Sequence, residues 1–143
     1  MAVEPYDEPN IQGNDSIIRR VNPNQHVVPD ENTGGQRLSS KLFTPSSGQN
    51  GGMSIDIPTL IEQAGLDPHI FVTTPVFTGS VQFTAEDARS VDLQIGFDPL
   101  EDNPYHGEVW GTRDNPCKFT NRQKRKLKEA SEWFVELPGV DIR

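Results

Sequence analysis

The chain has 143 residues, of which 33% are hydrophobic, with 12 Gly, 12 Pro and a net charge of −8. That length holds one hydrophobic core and excludes a second, while the low apolar share and the many turn formers predict a loop-rich domain. A single cysteine, Cys117, rules out an internal disulfide and a multi-Cys zinc site and points to a reducing, cytoplasmic setting. The acidic N-terminus lacks the apolar run of a signal peptide and no stretch of 18 apolar residues occurs, so no membrane association is expected.

In chain order, residues 1–15 hold Pro5, Pro9, Gly13 and several acids and read as a disordered or loosely docked acidic arm, with a single domain over 16–140. Residues 16–21 predict a strand, ended by Asn22-Pro23, and Val27-Val28 is too short to assign. Residues 38–43 fit a strand or extended loop, and 46–52 a flexible exposed tip. Residues 53–57 alternate as a strand does, and Pro58 suits the first position of a short helix burying Leu60, Ile61 and Ala64 and stopped by Gly65.

Residues 70–74 and 79–83 read as two further strands, the second leading into a helix capped by Thr84 and running to about Val91. Residues 93–97 and 106–110 predict two more strands, the latter being the last. Thr120 and Gln123 have capping-box spacing and open a helix to about Glu136, with Leu127, Ala130 and Phe134 on one side and Pro138-Gly139 beyond its end. Strands mixed with helices without regular alternation predict an α+β fold: one compact domain with a bent, mostly antiparallel sheet and two or three short helices.

Chemistry-bearing residues concentrate in 19–43. The run Arg19-Arg20-x-x-Pro23, Val28-Pro29-Asp30-Glu31-Asn32, Ser39-Ser40-x-x-Phe43 and Met53-Ser54-Ile55-Asp56 is followed by Gly79-Ser80-Val81-Gln82-Phe83-Thr84-Ala85. With Asp98-Pro99 and Asn103-Pro104-x-His106-Gly107, it resembles a family of small bacterial proteins over about residues 16–136, a likeness that implies no activity. At the level of pattern the chain also resembles ADP-ribosyltransferase-like domains, which place an Arg on an early strand, a Ser on the next and a Glu on a later one. Arg19 or Arg20, Ser39 or Ser40 and Glu108 occur in that order. The resemblance implies a guanidinium holding a pyrophosphate, a hydroxyl bracing a ribose and a carboxylate stabilising an oxocarbenium-like centre. The chain departs from it in carrying His106 where a second acid is usual and in lacking a Ser-Thr-Ser triplet.

His26, Asp30, Glu31, His69, His106 and Glu108 are candidates for acid–base or metal chemistry, but no spacing is diagnostic and neither a metal nor a cofactor is assigned. Cys117 precedes a helix start, where a thiol pKa can fall, yet a catalytic thiol needs a placed base that the sequence does not show. Residues 113–128 carry seven bases and one acid, +6, which leaves −14 for the rest of the chain. Within it, Arg122, Lys124, Arg125, Lys126 and Lys128 form a basic helix suited to a protein partner or to nucleic acid, unless Arg125–Glu129 and Lys128–Glu132 pair along a solvated face.

The leading expectation is a small cytoplasmic binding or accessory protein that recognises a partner through this helix. The competing one is an enzyme on a nucleotide-type substrate using Arg19, Arg20, His26, Ser39, Ser40, His106 and Glu108 around one cleft. Because neighbouring strand residues point to opposite faces, at most one of Arg19 and Arg20 is expected to reach that cleft.

Overall fold

Ile17, Ile18 and Val21 give the strand β1 (Ser16–Val21) apolar, β-branched residues on both faces, as a central strand requires. In the computed structural model, which describes residues 4–45 and 51–143, β1 lies in the middle of a six-stranded sheet. The sheet has the order β6-β7-β4-β1-β5-β8, formed by β4 (Met53–Asp56), β5 (Gly79–Thr84), β6 (Gln94–Phe97), β7 (His106–Trp110) and β8 (Glu132–Val135). Every pairing in it is antiparallel. A small second sheet joins β2 (Val27–Pro29), β3 (Gln36–Leu38) and β9 (Val140–Asp141), with β3 and β9 parallel.

The helices are short: α1 (Pro23–His26), α2 (Pro58–Gln63), α3 (Pro68–Phe71), α4 (Ala85–Arg89) and α5 (Asn121–Ala130), with a 3-10 turn at Ser40–Phe43. Thr84 with Asp87 and Thr120 with Gln123 make full capping boxes at the starts of α4 and α5, and Gly65 ends the α2 segment at φ 80°. One sheet face, with Ile17, Val21, Ile55, Val81, Phe83 and Val109, packs in the same core as Leu42, Phe43, Ala88 and Leu127. On the other face Ile18 clusters with Ile61 and Val72. This is the expected α+β architecture, with five helical segments where two or three were anticipated.

Three local expectations are corrected. Residues 70–74 are not a strand, because Asp67 accepts from the His69 amide and Pro68 occupies the first helical position, so local capping outweighs the β-branched residues. α5 stops at Ala130: Ser131 is extended (φ −75°, ψ 142°), and Glu132, Trp133 and Val135 then pair with β5 as β8. Consequently 106–110 is not the last strand. Of the expected tip, residues 46–50 lie outside the described residues.

Of the arm expected to be disordered or loosely docked, residues 4–15 are docked on the sheet edge. Tyr6, Asp7 and Glu8 run beside β6, the edge strand: the Phe97 amide donates to Tyr6 Oη (2.9 Å), the Ile95 amide to Asp7 Oδ1 (3.1 Å) and the Glu8 amide to the Ile95 carbonyl (2.8 Å). Arg89 of α4 ties the same segment down through Asp7 Oδ1 (3.1 Å) and the carbonyls of Ile11 (2.7 Å) and Glu8 (2.9 Å). Ile11 is buried in the main core. Gly96 allows this approach, since a Cβ there would lie 2.5 Å from Tyr6 Cε1 and 2.9 Å from Trp110 Cζ3.

Ile11→Ala should therefore cost about 2–4 kcal/mol in urea unfolding, the range for emptying a buried aliphatic site. Deleting residues 1–12 should in addition expose the β6 edge and make the protein self-associate with rising concentration, as read by light scattering. An unchanged urea midpoint for Ile11→Ala would show the arm to be energetically idle.

Candidate active site

Strand register decides which polar side chains share a face. Ile18 pairs with Asp56, Asp56 with His106, and Ser54 with Glu108. With alternation along each strand, Arg20, Asp56, His106 and Glu108 therefore occupy the face opposite the main core. The loop between β6 and β7 and the segment after α3 stand beside it, enclosing a cleft of about 480 Å³. Arg20, Asp56, Asp102, Asn103 and His106 supply its polar lining, and Phe71, Phe77 and Leu100 supply apolar walls.

Arg20 and Asp56 form a two-pronged ion pair, Nε to Oδ2 at 2.8 Å and Nη2 to Oδ1 at 3.0 Å, with the Asp56 side chain only 4% exposed. Asn103 Nδ2 also donates to Asp56 Oδ1 (2.8 Å), and the Tyr105 amide donates to Asn103 Oδ1 (3.1 Å), so the loop and the sheet are locked together through one carboxylate. The Arg20 guanidinium lies 5.7 Å from the centre of the Phe71 ring, which meets Tyr105 edge-on at 5.2 Å.

Arg19 also borders the cleft, although alternation places it with Ile17 and Val21 on the main-core side of β1. Its chemistry is spent elsewhere. Nε donates to the Leu42 carbonyl and Nη1 to the Ser54 carbonyl, both at 2.9 Å, and burial pulls its pKa down to about 10 against the attraction of Asp56 and Glu108. It is a buried, still protonated strut between β1, the 3-10 turn and β4.

His106 is buried, with Nδ1 2.7 Å from the Asp98 carbonyl oxygen and 3.6 Å from Asp98 Oδ2. A carbonyl can only accept, so Nδ1 carries the proton and Nε2 of the neutral ring keeps the lone pair. Asp98, His106 and Glu108, all buried, have donor atoms within 4.8 Å of one another, near enough to share a divalent cation. The Nδ1 hydrogen bond leaves only Nε2 for that purpose, and the arrangement serves equally to orient a histidine. Glu108 has no exposed surface and accepts from the Gly52 amide at Oε1 (3.2 Å).

The remaining expected site residues do not converge here. His26 Nδ1 accepts from the Asn22 amide (2.9 Å) and closes α1. Ser39 caps the 3-10 turn by accepting from the Lys41 amide (3.2 Å), and Ser40 is exposed beside Asn121, Lys124 and Lys128 of α5. The ADP-ribosyltransferase-like set is thus not assembled: its serines sit elsewhere, Arg19 holds carbonyls and Glu108 is sealed in. His69 is exposed, stacked on Phe134 at 3.9 Å, and Asp30 turns the β2–β3 loop by accepting from the Asn32 amide. Cys117 is exposed and free.

Asp56, Asp98 and Asn103 fall in the runs that carry the family resemblance but were given no site role from the sequence. Asp56 stands at a polar position of the alternating 53–57 run, between the core residues Ile55 and Ile57. No family model, curated protein or solved structure matches the chain.

Asp56→Ala should cost about 3 kcal/mol in chemical unfolding, because it leaves a largely buried guanidinium without its counter-charge. A second expectation concerns His26, whose pKa is held down at about 4 by burial and by the Arg19 charge. The unfolded chain binds that proton near the ordinary histidine value of about 6.5, so stability should fall as pH drops from there toward 4, by about 2 kcal/mol in all. His26→Gln should flatten that part of the stability–pH curve, and an unaltered slope would contradict the assignment.

Proposed function

We propose that the chain is a small cytoplasmic enzyme acting on a ring-bearing, nucleoside-type substrate in the cleft, with His106 as general base or acid. The observation that carries this reading is a histidine fixed in one tautomer at the wall of a cleft that is polar on one side and aromatic on the other. Phe71 and Phe77 offer surface to a planar ring. Asn103 and Arg20 offer polar contacts, the Arg20 Nη1 lying outside the bonds to Asp56.

Charge narrows the substrate. Asp56 neutralises Arg20 and Asp102 offsets the buried Arg19, so the charges lining the cleft sum to about zero, which favours a neutral or weakly charged ring over a polyphosphate. The free, exposed Cys117 is consistent with a reducing compartment. Among the described residues no helix is long and apolar enough to cross a membrane. The partner-binding reading keeps its basis in α5, which lies apart from this cleft.

The test is incubation with a panel of nucleosides and nucleotides, reading binding by calorimetry and products by mass spectrometry. His106→Asn should keep binding and lose turnover by about 10²–10⁴-fold, the usual worth of a positioned acid or base. Phe77→Ala should weaken binding itself. Failure of every member of the panel to bind, or wild-type turnover in His106→Asn, would overturn the proposal.

A further inference from the structure

The bases of α5 behave differently from those of the sheet. The ion pairs among the described residues are Arg20–Asp56 and Arg89–Asp7, with the His69 and His106 rings beside Asp67 and Asp98, and none of these contacts includes a base of α5. The pairs Arg125–Glu129 and Lys128–Glu132, which would make the helix an ordinary solvated face, are not formed. In a chain with 21 acids and 13 bases, these cations are left without carboxylate partners.

Two bases from distant parts of the sequence join them. Arg37 of β3 and Arg143 at the last position border one depression of about 660 Å³ with Arg125 and Lys128. Structural bonds hold two of the four in place: Lys128 Nζ donates to the Leu38 carbonyl (3.0 Å), and Arg143 Nη1 donates to the carbonyls of Lys128, Glu129 and Ser131, each at 3.1 Å. Arg143 thereby covers the C-terminal end of α5 and keeps its other nitrogens available. Arg37 makes one weak contact to the Leu38 carbonyl at 3.5 Å. Burial first, then repulsion by Arg37 and Arg143, lowers the Lys128 pKa, with Asp30 opposing. Arg37 and Arg143 are thus near enough to Lys128 to repel its charge.

We infer that this depression binds a phosphate monoester, with Arg37, Arg125, Lys128 and Arg143 as its ligands. Four cations and the two carboxylates that also line it, Asp30 and Glu129, leave a local charge of +2. A phosphate monoester carries close to −2 at neutral pH, and guanidinium groups match its oxygens two at a time. Asn32 and Thr33 add polar groups at the rim. Arg122, Lys124 and Lys126 border neighbouring depressions along α5, but this hollow alone gathers bases from three parts of the chain, and with Asp30 and Glu129 in its lining and an acidic chain around it, one phosphoryl group fits it better than a nucleic-acid backbone. The site is separate from the cleft and does not depend on the reading given for it.

The test is an amide-resolved NMR titration with inorganic phosphate, a sugar phosphate, a phosphoserine peptide and a short duplex DNA. Arg37 and Arg125 are the residues to change, because Lys128 and Arg143 also brace the fold. Saturable shifts confined to α5, β3 and the C-terminus, weakened at least about tenfold in Arg37→Ala/Arg125→Ala with unchanged circular dichroism, support the site. Tighter binding of the peptide then assigns the phosphate to a protein partner, and tighter binding of the sugar phosphate assigns it to a metabolite. Dissociation constants weaker than about 10 mM for all phosphate monoesters, wild-type affinity in the double variant, or DNA bound more tightly with steep salt dependence would overturn it.

Discussion

One buried carboxylate holds the two halves of the cleft together. Asp56 takes both prongs of Arg20 and the amide of Asn103, so β1, β4 and the β6–β7 loop meet at a side chain that is 4% exposed. Immediately behind it Arg19 reaches the carbonyls of Ser54 and Leu42. Removing such charges from water costs several kcal/mol per ion, and well-packed apolar residues often serve stability as well or better. Charge at the middle of the sheet is therefore poorly explained by stability alone. It is well explained if the geometry of a polar cleft must be held in one arrangement.

The same reasoning separates the two arginines that adjoin in sequence. Arg19 satisfies the backbone carbonyls of Leu42 and Ser54. Arg20 lies against Phe71 with one nitrogen outside its ion pair. Exchanging either for lysine would lose different things: a branched donor set inside the protein in one case, a planar fork at a ligand-facing surface in the other. Their common origin in Arg19-Arg20 says nothing of this, because alternation and strand register assign the roles.

What was legible in the sequence follows the range of the interactions involved. Alternation in 53–57 and 93–97, and short strand-forming runs at 16–21, 79–83 and 106–110, revealed strands because each residue meets its face through its own backbone geometry. The capping boxes at Thr84 and Thr120 are local too, and both formed. Residues 70–74 misled because Ile70, Val72, Thr73 and Thr74 favour strands, while the decisive Asp67-Pro68 cap lies just before them. α5 was read too long because Phe134 stands seven residues after Leu127, a helical spacing that conceals the break at Ser131. The docking of residues 4–15 was illegible, since bonds from Asp7 and Glu8 to Ile95 span more than 80 positions and leave no trace in composition. His106 and Arg20 were found by chemical type. Asp56 and Asn103 were missed because their importance comes from whom they meet.

The fold also explains why two separate ligand sites would fit on so small a chain. The six-stranded sheet puts its apolar face against α4 and α5, which leaves the opposite face near the centre, where the strands carry Arg20, Asp56, His106 and Glu108, to the cleft. α5 buries Leu127 in the core and turns its bases outward, where β3 and the chain end contribute Arg37 and Arg143. The cleft and the basic depression thus border opposite sides of one sheet-and-helix sandwich, and β1 and the 3-10 turn run between them. Arg19 joins that turn, through the Leu42 carbonyl, to the strand bearing Asp56, through the Ser54 carbonyl. Under the two proposals made above, a phosphate held on one side would anchor the protein while the cleft on the other stays open to its substrate.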